Sequence, residues 1–180
     1  MLGPVLRGLQ PAELFSPFGI DEIRRSLGED RAASLLEEPG LEYAIAEGEN
    51  VPPALGEHDT RQLAASDIAL EKETFGLKMS DWDASPPEDK VWGFVSCDGQ
   101  DWAAIAVIRW HEGAVGSISI AGTKPVYQRR NHGRAVVSAA TDYILRHGRV
   151  ATYGTVQSNL AAVRMIRPLG YELAHETIYA

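Results

Sequence analysis

Residues 121–137, Ala-Gly-Thr-Lys-Pro-Val-Tyr-Gln-Arg-Arg-Asn-His-Gly-Arg-Ala-Val-Val, hold the clearest chemistry in this chain. Arg129, Arg130 and Arg134 stand among small and turn-forming residues, where a strand-like pattern gives way to a helix-like one. The opening amides of a helix lack internal acceptors and lie at the positive end of its dipole, so such a junction can hold a phosphate. The three guanidinium groups would add full charges to that site. A basic loop that binds nothing is the plain alternative.

The elements around the loop follow from periodicity. Upstream, Val91–Cys97 and Trp102–Trp110 are rich in aromatic and β-branched residues and are split by Asp98-Gly99, which predicts a hairpin. Glu112-Gly113 marks a second turn and Ala114–Gly122 a third strand, so this part of the sheet is expected to be antiparallel. From Asn131, apolar residues recur at helical spacing through Leu145 and stop at His147-Gly148, where glycine can take a left-handed cap. Val150–Val156 reads as a strand, Asn159 caps a helix through Arg167, and Tyr171–Tyr179 is a last strand. The C-terminal part is therefore a β-α-β-α-β segment whose crossover brings a parallel pair into a mixed α/β (α+β) sheet.

The first 55 residues read as an accessory lobe and residues 56–180 as the main domain. In the lobe, helical turns are expected at 21–28 and 30–38, a half-buried strand at Leu41–Glu47 and a linker at 48–53. The main domain would open with a helix from Ser66 to Phe75, capped by Ser66 or Asp67.

Composition narrows the function. The chain has 180 residues, 44% hydrophobic and 23% charged, which suits a globular fold without a membrane span. No secretory signal is evident, and one cysteine excludes an internal disulfide, so a cytoplasmic location is expected. The net charge of −8 argues against a nucleic-acid partner. That charge is uneven: residues 121–180 carry +5 and the first 120 carry −13. An anionic ligand at one end and a cationic one at the other would suit this split, as would plain surface solubility.

The loop resembles the acetyl-CoA loop of the GNAT superfamily of N-acetyltransferases. That loop has Gln or Arg, two variable residues, Gly, one residue, then Gly or Ala, after a proline and an aromatic. Pro125, Tyr127, Gln128 and Gly133 fall into that register, with Asn131 at the first glycine. Asparagine is a good non-glycine residue at left-handed angles. A shifted register, Arg130 to Ala135, also fits the short pattern but leaves Pro125 and Tyr127 out. Asn159-Leu-Ala-Ala-Val-Arg-Met-Ile-Arg-Pro-Leu-Gly-Tyr resembles the family's closing segment, and together the two blocks cover about the last third of the chain.

The resemblance implies a GNAT-like acyl-CoA-binding fold and an N-acyltransferase that uses acetyl-CoA on a primary amine of a small molecule or peptide, with no metal. It implies that Ala121, Gly122 and Thr123 pair through their backbones with the pantetheine arm. Amides of Arg129, Arg130, Asn131, His132, Gly133 and Arg134 would wrap the pyrophosphate. Asn159 would hydrogen-bond the arm, or serve only as a helix cap. Many members place a proton-donating tyrosine seven residues after that asparagine; here Ile166 stands there, so the catalytic acid and base are unassigned. That gap leaves open a non-catalytic acyl-CoA-binding or sensing domain.

Tyr153, Thr155 and Ser158 are structural in expectation, and Cys97 is a packed core residue rather than a nucleophile. His111-Glu112 reads as a solvated turn, and the five histidines lack metal-ligand spacing. Trp82, between Asp81 and Asp83, is an aromatic face that an ammonium would suit, or a buried loop anchor. A nucleotide fold is disfavoured: the loop lacks a P-loop's Lys-Ser or Lys-Thr ending, and the sheet opens antiparallel. A homodimer is a possibility the sequence leaves open.

Overall fold

The computed structural model describes residues 13–16, 40–45, 58–64, 67, 90–111 and 113–179. Their strands are β1 (Glu13–Ser16), β2 (Gly40–Ile45), β3 (Asp59–Gln62), β4 (Gly93–Asp98), β5 (Asp101–Trp110), β6 (Val115–Thr123), β7 (Val150–Val156) and β8 (Glu172–Tyr179). Two helices are described, α1 (His132–Arg146) and α2 (Leu160–Ile166), with 3₁₀ turns at Pro125–Tyr127 and Arg167–Leu169. The helices expected at 21–28 and 30–38, the linker at 48–53, the Trp82 loop and most of the 66–75 helix lie outside the described residues.

All eight strands form one mixed sheet in the order β1-β8-β2-β7-β6-β5-β4-β3. Strands β4 to β6 meander antiparallel, as the turn residues predicted, and β3, which the sequence did not signal, pairs antiparallel with β4. The first hairpin turns at Gly99, with φ +62, so Asp98 ends its strand rather than opening the turn. The β6-α1-β7 crossover makes the single parallel pair among the described strands. Two stretches of the first 55 residues are strands of this same sheet. Of these, β2 lies inside it, antiparallel to both β7 and β8. Strand β8 therefore runs parallel to β7 without touching it.

Strand β5 is apolar on both sides because both of its faces are covered. Ala104, Ala106 and Ile108 join the main core against Val136, Ala140 and Ile144 of α1. Ile105 and Val107 face the other way, with Leu63, Val95 and Trp102. Strict alternation would send Trp102 toward α1; the register shift between Ser96 and Cys97 makes Ala103 an extra residue and turns the indole over. Deep in the main core, Thr141 donates to Val137 O at 2.7 Å and shares a 2.7 Å hydrogen bond with Tyr171 Oη. These side chains clamp α1 to the segment after α2.

Candidate functional site

The site begins where two strands part. Strands β6 and β7 pair from Val115↔Val150 to Ile118↔Tyr153 and no further, although both continue. The parting coincides with a bulge: Val107 pairs with Ile120 and Ile108 with Ile118, leaving Ser119 as the extra residue of β6. Beyond it, the β7 side of β6 has no strand neighbour among the described residues.

Antiparallel alternation says which backbone groups face that opening. Lys124 N–H donates to Ala103 C=O at 2.9 Å, so Gly122 and Ile120 share this phase and bond toward β5. The N–H and C=O groups of Ala121 and Thr123 then point into the cleft. Gly122, expected to act with them, instead directs its polar groups at Ile105.

The chain leaves β6 through a braced turn. Asp101 accepts from Lys124 Nζ at 2.5 Å and from Tyr127 Oη at 2.9 Å, which fixes the 3₁₀ turn to the start of β5. The Lys124 bond, then the Tyr127 bond, hold the Asp101 carboxyl below the usual carboxylate range. The Tyr127 ring lies 5.8 Å from the Arg130 guanidinium and 5.6 Å, edge-on, from the His132 ring.

Arg129 (φ 61) and Asn131 (φ 67) both adopt left-handed backbone angles, so Asn131 does what a glycine would do there. Left-handed residues interleaved with others gather consecutive N–H groups into an anion-binding concavity. The first main-chain bond of α1 runs from Ala135 N–H to Asn131 C=O, and Asn131 makes no side-chain cap bond. The amides of His132, Gly133 and Arg134 therefore have no main-chain acceptor among the described residues. Arg129 and Arg130 are exposed, while Arg134 is half-buried with its Nε enclosed and lacking a partner among the described residues.

Gly133 lets the start of the helix approach β6. A Cβ there would lie 2.7 Å from Thr123 Oγ1 and 3.6 Å from Met165 Sδ of α2. His132 supplies an amide only, because its ring is 4% exposed and its Nδ1 shares a 2.8 Å hydrogen bond with Ser96 Oγ. Its centroid is 4.1 Å from that of His58. Burial first, then the His58 charge, push the imidazole below its ordinary value. The sequence did not show that Ser96 and His58 underpin the loop; neither lies in its motif.

Asn159 caps α2, its Oδ1 accepting from Ala162 N–H at 3.2 Å, which leaves the side-chain NH₂ as a donor. Ile166 is fully buried in the core. Tyr153 is buried at the last β6–β7 pair, and burial pushes its hydroxyl up to about 12. Burial likewise raises the Cys97 thiol, which disfavours a nucleophilic thiolate. No group of three or more His, Cys, Asp or Glu side chains among the described residues is arranged to hold a metal.

The fold has counterparts. The family described as FR47-like protein matches residues 92–180. The GCN5-related N-acetyltransferase of Sphaerobacter thermophilus superposes with a TM-score of 0.70 at 17% identity, over 92% of this chain and 57% of its own. The chain has the fold of these GNAT acetyltransferases. The GCN5-related N-acetyltransferase from Kribbella flavida gives 0.62 at 18% identity, over 81% and 58%. AAC(6')-Iy in complex with the bisubstrate analogue CoA-S-monomethyl-acetylneamine gives 0.50 at 15% identity, over 66% and 93%. The chain thus spans under three fifths of the length of the first two. No curated protein matches it. No helix among its described residues is long and apolar enough to cross a membrane.

Proposed function

We propose that this chain binds acetyl-CoA in the cleft between β6 and β7 and transfers the acetyl group to a primary amine. The observation that carries this reading is the parting of β6 from β7 beside the open amides of α1. One end of that cleft offers main-chain groups to an extended arm, and the other offers an anion site.

In this reading the pyrophosphate takes the amides of Arg129 to Arg134, and an anionic oxygen satisfies the enclosed Nε of Arg134. The pantetheine arm pairs with Ala121 and Thr123 as an added strand would, and the Asn159 NH₂ donates to it. The thioester then lies near the bulge at Ser119. Holding amine and thioester together supplies much of the acceleration. The domain is assigned to residues 56–180, with residues 1–55 lending it β1 and β2. The complex of AAC(6')-Iy with a CoA-linked amine analogue supports both the coenzyme and the acceptor class.

Isothermal titration with acetyl-CoA tests the reading; one saturable site is expected. An absent heat signal together with an absent thermal shift overturns it. The buried Ile166 favours a second reading, an acyl-CoA-binding domain without turnover, because that position can give no proton to a leaving thiolate. That reading expects binding with no release of free thiol across a panel of primary amines, and turnover of any one dismisses it.

A further inference from the structure

Residues on the sheet face away from α1 assign a role to a side chain that lies outside both sequence blocks. On β2 and β7, Tyr43, Ile45, Ala151 and Tyr153 point into the core beneath α1. Alternation turns Glu42, Thr152 and Gly154 to the opposite face. Glu42 pairs with Gly154 across β2 and β7. A Cβ on Gly154 would lie 2.8 Å from Glu42 Oε2, so the carboxylate rests over the Gly154 main chain. Gly154 is exposed, and it directly follows Tyr153, the last residue that β7 pairs with β6. The carboxylate thus stands beside the last β6–β7 pair, at the mouth of the cleft on the face away from α1.

The geometry also fixes the direction of approach. Helices α1 and α2 and the buried side chains of Ile118, Tyr153 and Ile166 fill the other face. Among the described residues, the Glu42 side is the one left for an acceptor. The floor there is polar: Ser117 Oγ is 2.6 Å from Thr152 Oγ1 and 3.0 Å from His111 Nε2. Among the described residues, β8 places His175 opposite Glu42 and Glu172 opposite Ala44 on this face, while β7 places Val150, Thr152, Gly154 and Val156 there.

Resting on the acyltransferase reading above, we propose that Glu42 is the catalytic base that receives a proton from the acceptor's ammonium group. The neutral amine nitrogen then forms its bond to the thioester carbonyl carbon and the carbon–sulfur bond breaks. The second nitrogen proton passes to the departing thiolate, and Glu42 returns its own proton to solvent. Acid and base are thereby balanced without a tyrosine at position 166.

The test compares wild type with Glu42→Gln and Glu42→Asp. Acetyl-CoA affinity by titration is expected to match wild type within about twofold in both variants. For primary amines, Glu42→Gln is expected to lower kcat/KM by ~100-fold or more. That deficit should shrink as the pH is raised toward the amine's own range, where free base no longer needs the carboxylate. Glu42→Asp should recover part of the rate. Wild type that fails to bind acetyl-CoA overturns the parent reading, and this proposal with it. Intact coenzyme binding in wild type and Glu42→Gln, with kcat/KM and its pH profile unchanged, overturns this proposal alone. A loss confined to KM, a deficit constant with pH, or no turnover by wild type across the panel does the same.

Discussion

Two glycines mark the two ends of the cleft, and they make room for different things. Gly133 removes a side chain so that the start of α1 can close on Thr123. Gly154 removes one so that a carboxylate from another strand can lie over the main chain. The first glycine belongs to a run of neighbours that do one job together. The second matters only through Glu42, 112 positions earlier in the chain. A coenzyme-facing surface can be written in contiguous residues because a loop and a helix start are local objects. The surface proposed to face the acceptor is assembled by strand pairing and has no local signature.

The comparison can be broken most forcefully at Gly133. Gly133→Val should push the helix start off β6 and weaken acetyl-CoA binding by ~100-fold in titration calorimetry, the high end of what overpacking costs. Unchanged affinity would mean that the close approach at Gly133 has no part in shaping the anion site. The reciprocal change is Gly154→Ala, whose methyl group displaces Glu42. Amine turnover should fall about tenfold with coenzyme affinity intact, since misplacing a reacting group costs rate rather than cosubstrate binding. If both glycine variants fail in the same assay, the two ends are not separable.

A control sits away from both ends. Tyr171→Phe removes the buried bond to Thr141 but keeps the ring, and Thr141 keeps its bond to Val137. Chemical denaturation should show a loss of about 1 kcal/mol, with coenzyme binding unaffected. The smallest effect concerns His132. Its folded imidazole is held below its ordinary value of 6.5, so as the pH falls the unfolded chain takes up a proton first. Stability from keeping it neutral is complete above that ordinary value and declines as the pH drops toward the depressed one. Urea midpoints at about pH 7.5 and about pH 5 should differ in wild type, and part of that difference should vanish in His132→Asn.

Much of this was legible in the residues. Strand β7 runs from Val150 to Val156 as its pattern predicted, and α1 starts within a residue of Asn131. The left-handed angle at Asn131 follows from asparagine's tolerance of it. Arg129 gave no such signal, because arginine is not chosen for φ 61; its neighbours impose that angle. The bulges at Ala103 and Ser119 were equally hidden. An extra residue is defined against the partner strand, and one strand's sequence does not contain its partner's register.

By itself, the sequence determined the elements from Gly93 to Tyr179 and the character of the loop between β6 and α1. Periodicity, turn residues and charge act over a few neighbours, and each is written in the order of the chain. Only the tertiary structure decided that β2 slots between β7 and β8, that β7 leaves β6 after Tyr153, and that His132 turns inward to Ser96. Each of these joins residues far apart in the chain. They meet because burying a sheet's apolar faces and satisfying its backbone groups selects one global arrangement from many that the local signals allow.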